Sequence, residues 1–254
     1  GFIFLVAAIS LMAVALGVAA LIIVMSVMNG FRAELFDKIV GLNGHAVVQG
    51  YGGRLPDWRD LVEKARATPG VTEAVPLIEQ PLMASADGRV EGVLLRGMRR
   101  EDILTNPTLD GNVVAGSLEA LRPGSENVAL GIRLAEALGV SVGGQISLIS
   151  PQGRTTPFGT VPRIVSYNVA ATFEVGVYDY DKAFVIMPIE DAQTLLMLGD
   201  AVGMVEVETV DADRVGEILA PLASSVAGEA VVADWRTMNS ALFEALSVER
   251  VAMF

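Results

Sequence analysis

Residues Phe2 to Met28 read FIFLVAAISLMAVALGVAALIIVMSVM and contain no charged side chain. As a helix rising about 1.5 Å per residue, the run would extend roughly 40 Å, beyond the ~30 Å hydrocarbon core of a bilayer. Ser10 and Ser26 can bond back to helix carbonyls. Gly17 among Ala13, Ala15, Ala19 and Ala20 gives a small-residue face on which a second helix could pack closely. A buried core helix rarely stays free of charge over such a length. A cleaved signal peptide would need a charged start, a shorter apolar run and a small-residue boundary before Asn29, and the sequence has none of these. The reading is a transmembrane helix over residues 1–28.

Outward from this run, Asn29-Gly-Phe-Arg-Ala-Glu-Leu-Phe-Asp-Lys-Ile-Val-Gly41 keeps an apolar stripe at Phe31, Leu35, Phe36 and Ile39. The pattern predicts that the helix continues as an amphipathic stalk over residues 29–44, ended by Gly41 and Gly44. The formal net charge of −12 lies after Met28. So acidic a remainder argues against nucleic acid as a partner. The absence of cysteine excludes disulfides, Cys-ligated zinc and thiol catalysis. A single histidine, His45, argues against a multi-His metal centre or a Ser-His-Asp triad, and no cofactor is expected. No nucleophile and base stand out as a pair, so the chain reads as non-catalytic.

Residues 45–236 read as an α+β domain. His45 to Gly50 is a short strand, and Asp57 is placed to cap a helix over Trp58 to Ala67 with Leu61, Val62 and Ala65 inward. Val71 to Ile78 is a strand, and Pro81 to Ala86 pairs with Val90 to Gly97 across the hairpin signal Asp87-Gly88. Arg99 to Arg122 reads as loop-rich. Glu126 to Val140 is a strand running into a helix. Gln145 to Ser150, Val165 to Phe173, Ala183 to Met187, Val202 to Val210 and Ala230 to Ala233 are further strands. Helices are expected from Ile189 to Leu198 after Pro188, and from Asp211 to Leu222. Trp235 to Phe254 reads as a helix, and its turn to apolar residues suggests that 237–254 lead into a second transmembrane helix of a longer protein.

Between Glu136 and Glu174 the only charged residues are Arg154 and Arg163. They fall in Ser150-Pro-Gln-Gly-Arg-Thr-Thr-Pro-Phe-Gly-Thr-Val-Pro-Arg163, read as a loop with three prolines and two glycines between strands. Proline fixes φ and lowers the entropy lost on docking. The segment is either a preformed interaction arm, with its arginines free for a partner's carboxylates, or an ordinary long loop with Phe158 tucked inward. Asp179 and Asp181 lack the further ligands of a calcium loop and read as a turn face. Gly139 to Gly144 lacks the spacing of a phosphate loop.

Four stretches resemble the permease subunits of the lipoprotein-releasing (Lol) ABC transporter, the LolC/LolE family. They are Ser26-Val-Met-Asn-Gly-Phe-Arg-Ala-Glu-Leu35, Thr156-Pro-Phe-Gly-Thr-Val-Pro162, Tyr167-Asn-Val-Ala-Ala-Thr-Phe173, and Glu174-Val-Gly-Val-Tyr-Asp-Tyr-Asp181 running into Pro188-Ile-Glu-Asp-Ala-Gln193. The resemblance spans the whole chain, and family members carry further transmembrane helices and a cytoplasmic part. It implies a fold of the MacB-like periplasmic type, with one α+β and one β-rich subdomain, the latter roughly over 110–190. It implies residence in the bacterial inner membrane with the main domain in the periplasm. The implied partners are a separate LolD-type ATPase, a second permease subunit, triacylated lipoproteins as cargo and a LolA-type periplasmic carrier.

In the LolC-like subunit a proline-rich hook docks the carrier, and Thr156, Pro157, Phe158, Gly159, Pro162 and Arg163 match it. LolC-type members also carry basic residues on the strands beside the hook. Here Ser147 and Val165 stand nearest those positions, and Arg163 is the closest basic residue. A hybrid permease that combines both subunit types is equally compatible. Val14, Val18, Leu21, Met25 and Met28 are the implied cargo-lining positions on the first helix. The alternative is a related mechanotransmitting ABC permease, serving macrolide or toxin export or regulating a cell-division hydrolase, although such proteins lack the hook.

Overall fold

The computed structural model describes residues 1–156 and 159–238, with the side chains of 29, 31–43 and 152–160 left aside. The chain divides into two compact units, 1–42 and 43–254.

The first unit is one helix, α1 (Phe2–Asn43). Its Phe2–Met28 portion, 27 residues with mean hydropathy 2.7, is long and apolar enough to cross a membrane. The expected continuation of this helix is present, with one correction. Gly41 does not end α1, because a glycine inside a helix costs only about 1 kcal/mol and the surrounding turns carry it. Gly44, at φ +58°, follows the last helical residue.

The second unit carries β1 (Ala46–Gly50), α2 (Trp58–Arg66), β2 (Val71–Ala86), β3 (Arg89–Met98), α3 (Arg100–Thr105), α4 (Pro107–Asp110), β4 (Val113–Gly116), β5 (Asn127–Gly131) and α5 (Ile132–Leu138). There follow β6 (Gln145–Thr156), β7 (Gly159–Phe173), α6 (Tyr178–Ala183), β8 (Phe184–Pro188), α7 (Ile189–Leu196), β9 (Met204–Thr209), α8 (Val215–Ser225), β10 (Ala230–Asp234) and α9 (Trp235–Met238). The expected helix Trp235–Phe254 is described only through Met238, and 239–254 lie outside the described residues.

Two arrangements share the long strand β2. Its first half joins the antiparallel layer β10-β1-β9-β2. Its second half pairs with β3 on one side and with β6 on the other. From β3 the pairing runs through β8, β5 and β7, and β6 returns it to β2, so six strands close into a ring of hydrogen bonds. Closure leaves these strands no free edge along the paired segments. The Asp87-Gly88 turn between β2 and β3 takes φ +46° and +82°, the doubly left-handed turn that two-residue hairpins favour.

The period-two alternation of the strands feeds two cores. Val128, Leu130, Val185 and Met187 face one way, where α2, α5, α7 and α8 add Leu61, Leu134, Leu195 and Leu219. Ala129, Phe184, Ile186 and Phe173 face the other way and meet Ile103, Leu109 and Leu118. The expected loop over Arg99–Arg122 is therefore partly structured. Its short helices α3 and α4 cover this second face, too short for their periodicity to register. Asp57 precedes α2 without a side-chain capping bond. Trp58 supplies an anchor instead, its Nε1 donating to the Asp200 carbonyl at 2.9 Å.

Candidate functional site

Of Ser150 to Arg163, expected as a loop, residues 150–156 belong to β6 and 159–163 to β7. Beyond Ile149, where β6 leaves β2, β6 and β7 pair only with each other, in register up to Thr156↔Gly159. Prolines argue against strand because they cannot donate to a ladder. Pro151 falls where the register shifts between Ser150 and Arg154, and three residues of β6 bulge past β7 there. Such a bulge tolerates a residue with no N–H to donate. Pro162, across from it, is exposed. The segment is therefore a two-stranded arm, stiffened by ladder hydrogen bonds in addition to its prolines.

The hook residues place as follows. Thr156 and Gly159 are the last paired residues of the arm. Pro157 and Phe158, between them, lie outside the described residues. Arg163 is half-buried, opposite the buried Ser150. Val161 and Ile164 are exposed.

Arg163 belongs to the root of the arm. Four residues on, Tyr167 lies on the same side of β7 and is buried. Burial pushes its phenol up to about 12, the nearby Asp191 carboxylate adds to this, and the Arg163 charge opposes it. Asp191 accepts from the Gly124 N–H at 2.7 Å, yet burial still raises its carboxyl above the usual range. The arm thus grows from a partly buried polar root, where Arg163 and Tyr167 of β7 lie within electrostatic reach of Asp191 on α7.

The outer face of this root is not apparent from the sequence alone. Met83 stands opposite Ile149, and Ile149 opposite Ile164, so the three side chains form a row across β2, β6 and β7. Met83 is 48% and Ile164 62% exposed. Along these outward faces Ser85, Ser147 and Ser166 stand two residues from Met83, Ile149 and Ile164, so no single strand shows an apolar stripe. Only the strand pairing makes the row.

Among the other candidates, Val18, Leu21, Met25 and Met28 all lie on α1, at spacings of three and four residues that put them on one stripe of the helix. Asp181 closes a loop, accepting from the N–H groups of Val175 at 2.7 Å and Gly176 at 3.1 Å. Among the described residues no group of three or more His, Asp or Glu could hold a metal ion. His45 is half-buried and bonded to Thr209.

An apolar helix of membrane-crossing length followed by an α+β domain with an extended two-stranded arm is the class these features define. Residues 7–236 match the family described as MacB-like periplasmic core domain, and the chain belongs to that family. It is 32% identical over 255 residues to the lipoprotein-releasing system transmembrane protein LolC of Neisseria meningitidis serogroup B, covering 100% of this chain and 61% of that protein. It is 32% identical over 253 residues to the protein of the same name from Xylella fastidiosa strain Temecula1, with the same coverage. The chain thus spans about three fifths of the length of these relatives. The periplasmic region of MacB from Actinobacillus actinomycetemcomitans aligns with a TM-score of 0.48 at 12% identity, covering 81% of this chain and 95% of that chain.

Proposed function

We propose that the chain is part of a permease subunit of a lipoprotein-releasing ABC transporter. The observation that carries this is the likeness to LolC proteins along the full chain, arm included. In this reading α1 crosses the bacterial inner membrane and residues 45–236 stand in the periplasm. A second permease subunit and a separate LolD-type ATPase complete the pump, and this chain catalyses no reaction itself.

The physical problem such a pump solves is the acyl chain. Each CH₂ taken out of an apolar phase into water costs about 0.8 kcal/mol, so three acyl chains cannot be released into solution. The lipoprotein has to pass directly to a carrier held beside the exit. Val18, Leu21, Met25 and Met28 provide an apolar stripe for the cargo. The arm ending at Thr156 and Gly159 docks a LolA-type carrier, with Pro157, Phe158 and Pro162 supplying rigid apolar contact and Arg163 a positive charge. A ladder-stiffened arm loses little entropy on docking, which favours a transient yet specific grip.

The test is capture of the carrier by the intact transporter in detergent. Pro157→Ala combined with Phe158→Ala is expected to abolish carrier capture while the ATPase subunit still copurifies. Carrier capture at the unaltered level would remove the arm from this role.

A further inference from the structure

The chain enters the domain just before His45, and this residue is bonded both to β9 and to Trp235. His45 donates its backbone N–H to the Val207 carbonyl at 3.0 Å, and its own carbonyl accepts the Trp235 N–H at 3.0 Å. The ladder between β1 and β9 loses its next backbone acceptor here, because α1 ends at Asn43 and Gly44 turns away at φ +58°. The His45 ring fills that place. Its Nδ1 lies 3.0 Å from the Thr209 amide nitrogen and 3.0 Å from Thr209 Oγ1, and that hydroxyl reaches the Asp211 carbonyl at 3.1 Å.

These distances hold two hydrogen-bond patterns that exclude each other. With Nδ1 bare, it accepts the Thr209 backbone N–H. With a proton on Nδ1, the ring donates to Thr209 Oγ1, the hydroxyl donates to the Asp211 carbonyl, and the Thr209 N–H loses its acceptor. We propose that His45 is a proton-operated latch, holding the backbone end of β9 to the chain's entry point when neutral and releasing it when protonated.

The charged groups on the surrounding elements are engaged elsewhere or open to water. On β9, Glu206 pairs with Arg96, and Glu208 is exposed. The Asp211 carboxylate accepts from the N–H groups of Asp213 and Arg214. Asp234 accepts from Thr237, and Arg236 pairs with Asp213. The side chains of Asp37 and Lys38 at the end of α1 are outside the described residues. The latch does not depend on the transport reading.

The test uses the full chain in lipid nanodiscs. Amide hydrogen exchange over 205–211 is compared at about pH 5 and pH 8, after correction for intrinsic rates. The unaltered protein is expected to lose about tenfold protection at the lower pH, the size of one hydrogen bond. His45→Gln keeps an acceptor but takes up no proton, and is expected to change less than about twofold. Glu206 is retained in both proteins, so its own titration cancels in the comparison. Equal pH dependence in the two, or none in the unaltered protein, overturns the latch. ¹⁵N-histidine spectra of the unaltered protein test it without any substitution. A neutral ring protonated at Nε2 supports it, and one protonated at Nδ1 overturns it.

Discussion

Arg96 on β3 crosses the intervening strand β2 to meet Glu206 on β9 at 3.3 Å, and on the way its Nε faces Glu79 of β2, also at 3.3 Å. One buried guanidinium thus ties together three strands, at the place where the open layer and the closed ring share β2. Burial pushes the Glu206 carboxyl up to about 7, the Arg96 charge opposes that shift, and Glu79, Glu208 and Glu73 add to it. The raised value means that the folded state holds this proton more tightly than the unfolded chain does. The contribution of Glu206 to stability is therefore full below about pH 4.5. It falls as pH rises through about 7 and is level above that. Glu206→Gln is expected to flatten the pH dependence of thermal unfolding between about pH 5 and 7, by an amount on the order of 3 kcal/mol at most. An unchanged profile would remove Glu206 as its source. Arg96→Met is expected to destabilise by about 3–5 kcal/mol, since it strands buried carboxylates.

Gly131, at the end of β5, admits no side chain. A Cβ there would sit 2.2 Å from the Asp181 carbonyl oxygen, a backbone atom that cannot swing aside. Gly131→Ala is expected to cost about 2–4 kcal/mol in chemical denaturation, whereas Gly92→Ala, in open space, should cost under about 1 kcal/mol. Similar midpoints for the two variants would contradict the packing of α6 on β5.

Asp181 is 1% exposed and accepts two backbone N–H groups. Asp181→Ala strands both donors and is expected to destabilise by about 2–4 kcal/mol, while Asp181→Asn, which keeps one acceptor oxygen, should cost about half as much. Hydrogen exchange at Val175 and Gly176 reads the effect locally.

Arg163→Glu reverses the positive charge of Arg163 at the root of the arm. If the arm docks a carrier through a complementary surface, association should slow by about tenfold at low salt while dissociation changes little. Equal association rates for the variant and the unaltered transporter would take Arg163 out of the docking surface.

Much of the fold was legible because it rests on local signals. The charge-free run to Met28, the alternation in Val202–Val210 and the Asp87-Gly88 turn each act over a few residues, and each formed where its pattern placed it. The arm was legible as a place and misread as a structure. Pro151 and Pro162 argue against strand by themselves, and only the β6–β7 pairing, with its bulge, accommodates them. Arg99–Arg122 failed for a related reason, since helices of four to six residues carry too few turns to show a period.

Hydropathy and turn chemistry, read along the chain, determined the membrane-length helix, the acidic α+β domain after it and the stretch that bears the candidate site. Tertiary structure alone decided that β6 returns to β2 and closes the ring, that Arg96 finds Glu206 across 110 residues of sequence, and that His45 meets Thr209 across 164. Local patterns are set by neighbours a few residues apart. These pairings depend on which strands lie side by side, and that is fixed only when both cores are buried at once.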